Sequence, residues 1–224
     1  MLRWLPENAS TYGKDIDSLF SLIYNITGVT FILVMTTMVA FLILFRHREG
    51  RRARYLHGNT YLEIVWTIVT AGIMIMLTIM SRPLWGRIKE SLPASEIQVR
   101  VTARQFSWEI VYPGPDREFG TEDDLRADND LNVPVNQAVR VILKSDDVIH
   151  SLFIPNLRFK QDAVPGRDID SWFEATRPGK YEMPCAELCG FGHSGMKGYL
   201  TVHSAEDYQR WVERNWPSSQ EEDS

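Results

Sequence analysis

Met183-Pro-Cys185-Ala-Glu187-Leu-Cys189-Gly-Phe-Gly-His193-Ser-Gly-Met196 is the stretch on which the reading of this chain turns. It holds the only two cysteines of the sequence, with an imidazole and a thioether close behind. Two thiolates, one imidazole and one thioether are soft or borderline donors, and together they suit copper. Zinc accepts sulfur and imidazole but has no preference for a thioether. A mononuclear blue-copper site uses one Cys, two His and a weak axial Met. The second cysteine here adds a thiolate able to bridge to a second ion. A disulfide between Cys185 and Cys189, or a zinc site, is the plainer alternative. Both leave Met196 without a role, and neither uses Gly190, Gly192 and Gly195. Those glycines let a short loop turn its side chains back toward one point.

Working outward, a second histidine is needed, and the sequence has only five in all. His150 lies in Asp146-Asp-Val-Ile-His-Ser-Leu-Phe-Ile-Pro155, a strand-like run closed by a proline turn. His203 ends another strand-like run. His47 and His57 fall in a basic segment between two apolar runs. With Asp147-Val-Ile-His-Ser151, Lys160-Gln-Asp-Ala-Val-Pro-Gly-Arg167 and the cysteine stretch in this order, the chain resembles subunit II of the haem–copper cytochrome c oxidases. The resemblance extends from the first apolar run to the end of the metal domain.

The apolar residues are unevenly placed. Leu19 to Phe45 carries no charge, enough to cross a bilayer core of about 30 Å at about 1.5 Å per residue. Ile64 to Ser81 is a second uncharged run, near the lower limit for a span. Between them stand Arg46, Arg48, Arg51, Arg52 and Arg54, which the positive-inside rule assigns to the cytoplasm, so both ends of the chain face outward. Lys14, Asp15 and Asp17 precede the first run in place of a basic leader, so an uncleaved anchor is expected. From Glu96 onward there are 14 Lys+Arg against 23 Asp+Glu, a net −9, while the first 95 residues carry +4. An acidic outer domain suits a basic protein partner, and no nucleic-acid partner is expected.

Beyond Arg82-Pro83 the residues to Pro93 read as an irregular linker. Short β-branched and aromatic runs follow at Glu96–Tyr112, Gln137–Lys144, Ser171–Thr176 and Gly198–His203, separated by Pro-Gly turns. Such spacing predicts a β-sandwich or barrel. Ser204 with Asp207 three residues on forms a capping signature, and Tyr208, Trp211 and Val212 give one apolar stripe. The polar tail from Ser218 is read as unstructured. The insert Pro113 to Asp130 is rich in carboxylates, among them Asp116, Glu122, Asp123, Asp124, Asp128 and Asp130. Its spacing is not that of an EF-hand, so a solvated turn is preferred to a calcium site.

The resemblance implies a two-helix transmembrane hairpin, then an all-β cupredoxin-like Greek-key barrel with a short C-terminal helix. The expected segments are 1–18 outside, 19–45 first helix, 46–61 cytoplasmic loop, 62–82 second helix, 83–95 linker, 96–203 metal domain and 204–224 helix with tail. It implies a dinuclear copper (CuA) centre held by His150, Cys185, Cys189, His193, Met196 and the main-chain carbonyl of Glu187. The Glu187 side chain would reach a magnesium ion shared with the catalytic subunit. It also implies donor docking near the family's Gln-Trp-x-Trp segment, which here reads Gln105-Phe106-Ser107-Trp108, and proton uptake beside Glu63. Phe106 departs from the family's tryptophan, and Thr70 stands where proline is common. Asp146 is expected to attract the donor, and Asp147 is read either as a hydrogen-bond partner near His150 or as an exposed turn acid.

The implied activity is electron input to a respiratory terminal oxidase. A c-type cytochrome delivers electrons, and the haem-bearing subunit I, with other oxidase subunits, reduces oxygen to water coupled to proton pumping. The expected location is a bacterial plasma membrane, with the copper domain on the periplasmic side. A copper-free quinol oxidase subunit, a tethered copper carrier and a nitric oxide reductase subunit are the competing classes. Intact ligands oppose the first, and two spans oppose the second.

Overall fold

The computed structural model describes residues 5–52 and 55–216. Arg54 of the basic connector and the tail from Ser218 lie outside the described residues. The chain divides into two compact units, residues 15–86 in one, and residues 5–14 with 87–216 in the other.

The first unit is two long helices, α1 (Gly13–Leu44) and α2 (Thr60–Trp85). Both are long and apolar enough to cross a membrane, and their apolar windows are not buried by protein. Inside lipid every polar group needs an internal partner. Several hydroxyls comply, with Thr27 and Thr30 donating to Ile23 O and Ile26 O at 2.8 and 2.9 Å. Thr67, Thr70 and Thr78 each donate at 2.8 Å to the carbonyl four residues back.

Thr70 is therefore an interior helix residue, and α2 begins at Thr60. Asn59 caps it by accepting from Leu62 N–H at 3.2 Å. The bounds differ from the sequence expectation in two places. α1 starts at Gly13 because Lys14, Asp15 and Asp17 are compatible with helix, and Asp15 favours the positive end of its dipole. Pro83 does not end α2, which runs to Trp85 and passes into a π-helical turn at Gly86–Glu90. Residues 83–90 are thus helical, not irregular linker. A proline removes one N–H, and in a long apolar helix keeping all other backbone bonds outweighs that loss.

The second unit contains ten strands: β1 (Ile97–Arg104), β2 (Ser107–Tyr112), β3 (Leu125–Asp128), β4 (Asp130–Pro134), β5 (Ala138–Ser145), β6 (His150–Ile154), β7 (Phe159–Ala163), β8 (Ile169–Glu174), β9 (Gly179–Pro184) and β10 (Lys197–His203). One sheet has the order β3-β2-β1-β5-β8, a second the order β4-β10-β9, and β6 pairs with β7. The pairs β1–β5 and β4–β10 are parallel, so those neighbours are joined through other strands, as Greek-key connections require. Along β5 burial alternates strictly, with Val139, Val141, Leu143 and Ser145 inward, the period-two signature of a strand with one face on a core. The core between the sheets includes Trp108, Ile110, Leu131, Leu152, Phe173, Met183 and Leu200. The run expected as one strand at 96–112 is two, because the chain reverses at Gln105-Phe106 and β1 pairs antiparallel with β2.

The N-terminal segment belongs to this same unit. Ala9 N–H donates to Asn156 O and receives Thr176 N–H on its own carbonyl, each at 2.8 Å. Ser10 Oγ donates to Leu157 O at 2.8 Å. Tyr12 is 1% exposed and meets Trp172 edge-on at 5.4 Å. At the other end, α3 (Ala205–Asn215) is capped by Ser204, which accepts Asp207 N–H at 3.1 Å. Its Trp211 packs edge-on to Tyr112 at 5.0 Å.

Candidate metal centre

Two structural elements meet at the site. β6 supplies His150 at its first residue, and the loop from Cys185 to Met196 supplies the rest. The loop closes on itself, because Cys185 N–H donates to Met196 O at 3.0 Å. Within it His193 N–H reaches Gly190 O at 3.1 Å and Gly195 N–H reaches Gly192 O at 3.0 Å. A bridge between Leu152 and Cys185, and the bond from Ala186 N–H to Ser151 O at 2.9 Å, fasten it to β6.

The donor atoms converge. Cys185 Sγ lies 3.9 Å from Cys189 Sγ, 3.9 Å from His150 Nδ1 and 3.2 Å from the main-chain oxygen of Glu187. Cys189 Sγ lies 3.5 Å from His193 Nδ1 and 3.7 Å from Met196 Sδ. Both cysteines are free and buried, at nearly twice the disulfide bond length of about 2.05 Å. At metal–sulfur bonds of about 2.3 Å, two sulfurs so spaced both reach an ion lying between them. Among the described residues, His150, Cys185 and Cys189 form the one group of three or more His, Cys, Asp or Glu with ligand atoms close enough to share a metal. The donor set therefore fits a soft or borderline metal.

Burial, followed by the neighbouring Cys185, pushes the Cys189 thiol up to about 11. Binding a metal ion would require both thiols to release their protons. His150 is fully buried, and its Nε2 lies 2.7 Å from Asp147 Oδ1. Partial burial would raise the Asp147 carboxyl, but hydrogen bonds from His150, Val148 N–H and Gln105 N–H outweigh it and hold the group below the usual carboxylate range. A carboxylate only accepts, so Nε2 carries a proton, which leaves Nδ1 as the ring nitrogen that could bind a metal beside Cys185 Sγ.

The surrounding residues sort clearly. Trp108 is buried and meets His150 edge-on at 6.1 Å. Phe106 is 38% exposed, and its ring lies flush on the ligand loop. A Cβ at Gly192 would stand 2.5 Å from Phe106 Cδ2, and one at Gly190 only 2.6 Å from Gln105 Nε2. These two glycines are needed for close approach, and Gly190 also has φ +134°. Gln105 Nε2 donates to Cys189 O at 2.5 Å; sequence reasoning gave that residue no role, although it stands in the quoted aromatic segment. Asp146 is at the surface but tied to Arg104 at 2.7 Å. Glu187 is exposed on the loop. Glu63 is exposed in the first turn of α2, with its N–H on Asn59 O. His203 takes no part, since its Nε2 is 2.7 Å from Asn132 Oδ1 and its ring stacks on Trp211.

Two apolar helices followed by a β-sheet domain with a buried thiolate, imidazole and thioether cluster describe the chain. Residues 100–202 match the family model for the periplasmic domain of cytochrome c oxidase subunit II, and residues 2–84 match that for its transmembrane domain. The alternative cytochrome c oxidase subunit 2 of Bradyrhizobium diazoefficiens is 30% identical over 94% of this chain and 83% of its own length. Cytochrome c oxidase subunit 2 of Cereibacter sphaeroides is 34% identical over 82% of this chain and 72% of its own. A crystal structure of the periplasmic domain of subunit II from Bradyrhizobium japonicum covers 56% of this chain and 96% of that one, at 28% identity and a TM-score of 0.49. The chain belongs to the cytochrome c oxidase subunit II family, and so to an oxidoreductase complex of the membrane.

Proposed function

We propose that this chain is the electron-accepting subunit of a respiratory haem–copper oxidase, with a dinuclear copper (CuA) centre held by His150, Cys185, Cys189, His193, Met196 and the carbonyl of Glu187. The observation that carries this reading is the convergence of those six donors around two sulfurs 3.9 Å apart. His150, Cys185, Cys189, His193 and Met196 would hold copper, which would supply one-electron redox chemistry. The protein's own part is to hold the donors rigid and keep water out. Asp147 fixes the tautomer of His150, and the β6 bridge and the Cys185–Met196 bond fix the loop. Cys185 and Cys189 would hold the ions in a fixed setting, so that uptake of an electron would require little rearrangement of the protein.

The donor in this reading is a c-type cytochrome, and the acceptor is haem in subunit I, where oxygen is reduced and proton pumping is driven. In this reading the Glu187 carboxylate, exposed on the loop, is assigned to a magnesium ion at the border with that subunit, a hard cation suited by oxygen. Glu63, near the cytoplasmic end of α2, is assigned to proton uptake, and Phe106 and Trp108 to the electron-input face. The complex lies in a bacterial plasma membrane with the β-domain on the periplasmic side. Purification from the native membrane tests the assignment. Copper accompanied by haem in one stable complex is expected, whereas copper without haem would make the chain a tethered carrier.

A further inference from the structure

The insert takes no part in the metal centre, yet its first turn builds one wall of a groove in the β-domain. β1 and β2 run antiparallel with Arg100 opposite Val111, so the start of β1 and the end of β2 lie at the same end of the sheet. Pro113, Pro115 and Arg117 line the groove on one side, and Tyr208, Val212 and Trp216 of the α3 region line it on another. The space between them is about 350 Å³, at the small end of the range of about 300–1,000 Å³ for small-molecule sites. Its aromatic walls are set as a corner. Trp211 backs three rings, with centroids 5.0 Å from Tyr112, 5.5 Å from Tyr208 and 5.8 Å from Trp216. Tyr208 lies at 20° to Trp211 and Trp216 at 79°, so the Tyr208 and Trp216 planes meet at a steep angle. Hydrogen bonds hold the walls in place. Trp216 Nε1 donates to Asp123 O at 2.7 Å and its N–H to Val212 O at 2.8 Å, while Tyr112 Oη accepts Asn132 N–H at 2.5 Å.

The charged lining is small and uncommitted. Glu96 and Arg117 both face the groove and are exposed, and among the described residues neither side chain has an ion pair or hydrogen bond. Arg104, Arg126, Arg140 and Arg177 of the same domain all sit in ion pairs. Arg117 also has φ +62°, a region uncommon for residues other than glycine. Glycine would suit that turn better, and what the arginine adds is its charge.

Aromatic faces are negative, and several of them around one small space suit a quaternary ammonium, whose methyl groups also gain from leaving water. A primary ammonium is a compact, strongly hydrated charge and loses more on entering. An unpaired guanidinium at the rim selects an anion, phosphate best of all because it takes two parallel hydrogen bonds. We propose that this groove binds phosphocholine. The quaternary ammonium lies between Tyr112, Tyr208 and Trp216 with the Glu96 carboxylate beside it, and the phosphate lies on Arg117. A soluble phosphocholine ester and the headgroup of phosphatidylcholine both carry this chemistry.

The test is calorimetric titration of the full-length chain in maltoside micelles with phosphocholine, choline and phosphoethanolamine. Phosphocholine should bind saturably. Choline, which leaves Arg117 without its anion, should bind about tenfold more weakly, and phosphoethanolamine, with a primary ammonium, about tenfold more weakly or worse. Trp216→Leu should weaken choline and phosphocholine alike by about tenfold or more. Arg117→Gln should weaken phosphocholine about tenfold while choline keeps its parent affinity, which also shows that this variant is folded. Repeating the phosphocholine titration in nanodiscs reads the source. Binding lost in phosphatidylcholine discs but kept in phosphatidylglycerol discs supports the site and assigns the lipid headgroup, and equal affinity in both supports it and assigns a soluble ester. Absence of saturable phosphocholine binding, phosphoethanolamine binding as tight as phosphocholine, or parent-like affinity in Trp216→Leu overturns the proposal.

Discussion

Two loops of this chain are dense in metal-binding side chains, and they behave in opposite ways. The loop from Cys185 to Met196 brings its donors together around two buried sulfurs. The insert from Pro113 to Asp130 has more carboxylates, yet its turns consume them locally. Asp116 accepts Glu118 N–H at 2.9 Å, Asp124 accepts Gly120 N–H at 2.8 Å, and Asp123 accepts the Thr121 hydroxyl at 2.6 Å. Among the described residues no carboxylate cluster there brings three ligand atoms close enough to share an ion. Ligand density along a sequence is therefore not a site. A site needs a distant strand to deliver a partner, as β6 delivers His150, and burial that makes unmetallated donors costly.

Substitutions should separate the two loops, beginning with the largest effect. Cys189→Ser should remove the bridging pair and lower cytochrome-driven turnover by more than about 100-fold, since even outer partners of metal ligands are worth about 10–100-fold. Copper analysis beside a turnover assay reads this, and an enzyme with full copper and full turnover would erase the distinction between the loops. Asp147→Asn should weaken copper retention about 10–100-fold in a chelator competition, because an amide can turn its NH2 toward Nε2 and favour the wrong tautomer. Retention equal to the parent would show that burial alone orients His150.

Gly192→Ala forces a Cβ to within 2.5 Å of the Phe106 ring. It should cost about 1–3 kcal/mol in thermal or denaturant unfolding and shift the copper spectrum. Neutralising the insert with Asp116→Asn and Glu122→Asn should change stability by no more than about 0.5 kcal/mol and leave copper untouched. Stabilisation of the parent by calcium, lost in that variant, would give the insert the role its geometry denies.

The sequence made some of this architecture legible and concealed the rest for physical reasons. Long uncharged runs announce membrane helices, but Pro83 misleads because a proline costs little beside the bonds a continuing helix keeps. β5 is plain from its alternation. β9 is not, since of Gly179–Pro184 only Met183 is buried. The reversal at Gln105-Phe106 carries no glycine or proline, so β1 and β2 read as one run. In the site, the two cysteines, His193 and Met196 signal chemistry by type and spacing, and His150 by its neighbours. Gln105 gives no such signal, because its bond to Cys189 O joins positions 84 residues apart. The packing of Ala9, Ser10 and Tyr12 on the β-domain is equally silent, since it depends on Leu157, Trp172 and Thr176 far along the chain.

The two sulfurs 3.9 Å apart are proposed to hold a pair of copper ions. The most direct measurement is a metal count with an EPR spectrum on the full-length chain, residues 5–14 included because they pack into the β-domain. The account predicts two coppers per chain and a mixed-valence spectrum in which one unpaired electron is shared by both ions. One copper with a mononuclear spectrum, or zinc beside an intact Cys185–Cys189 disulfide, would contradict it.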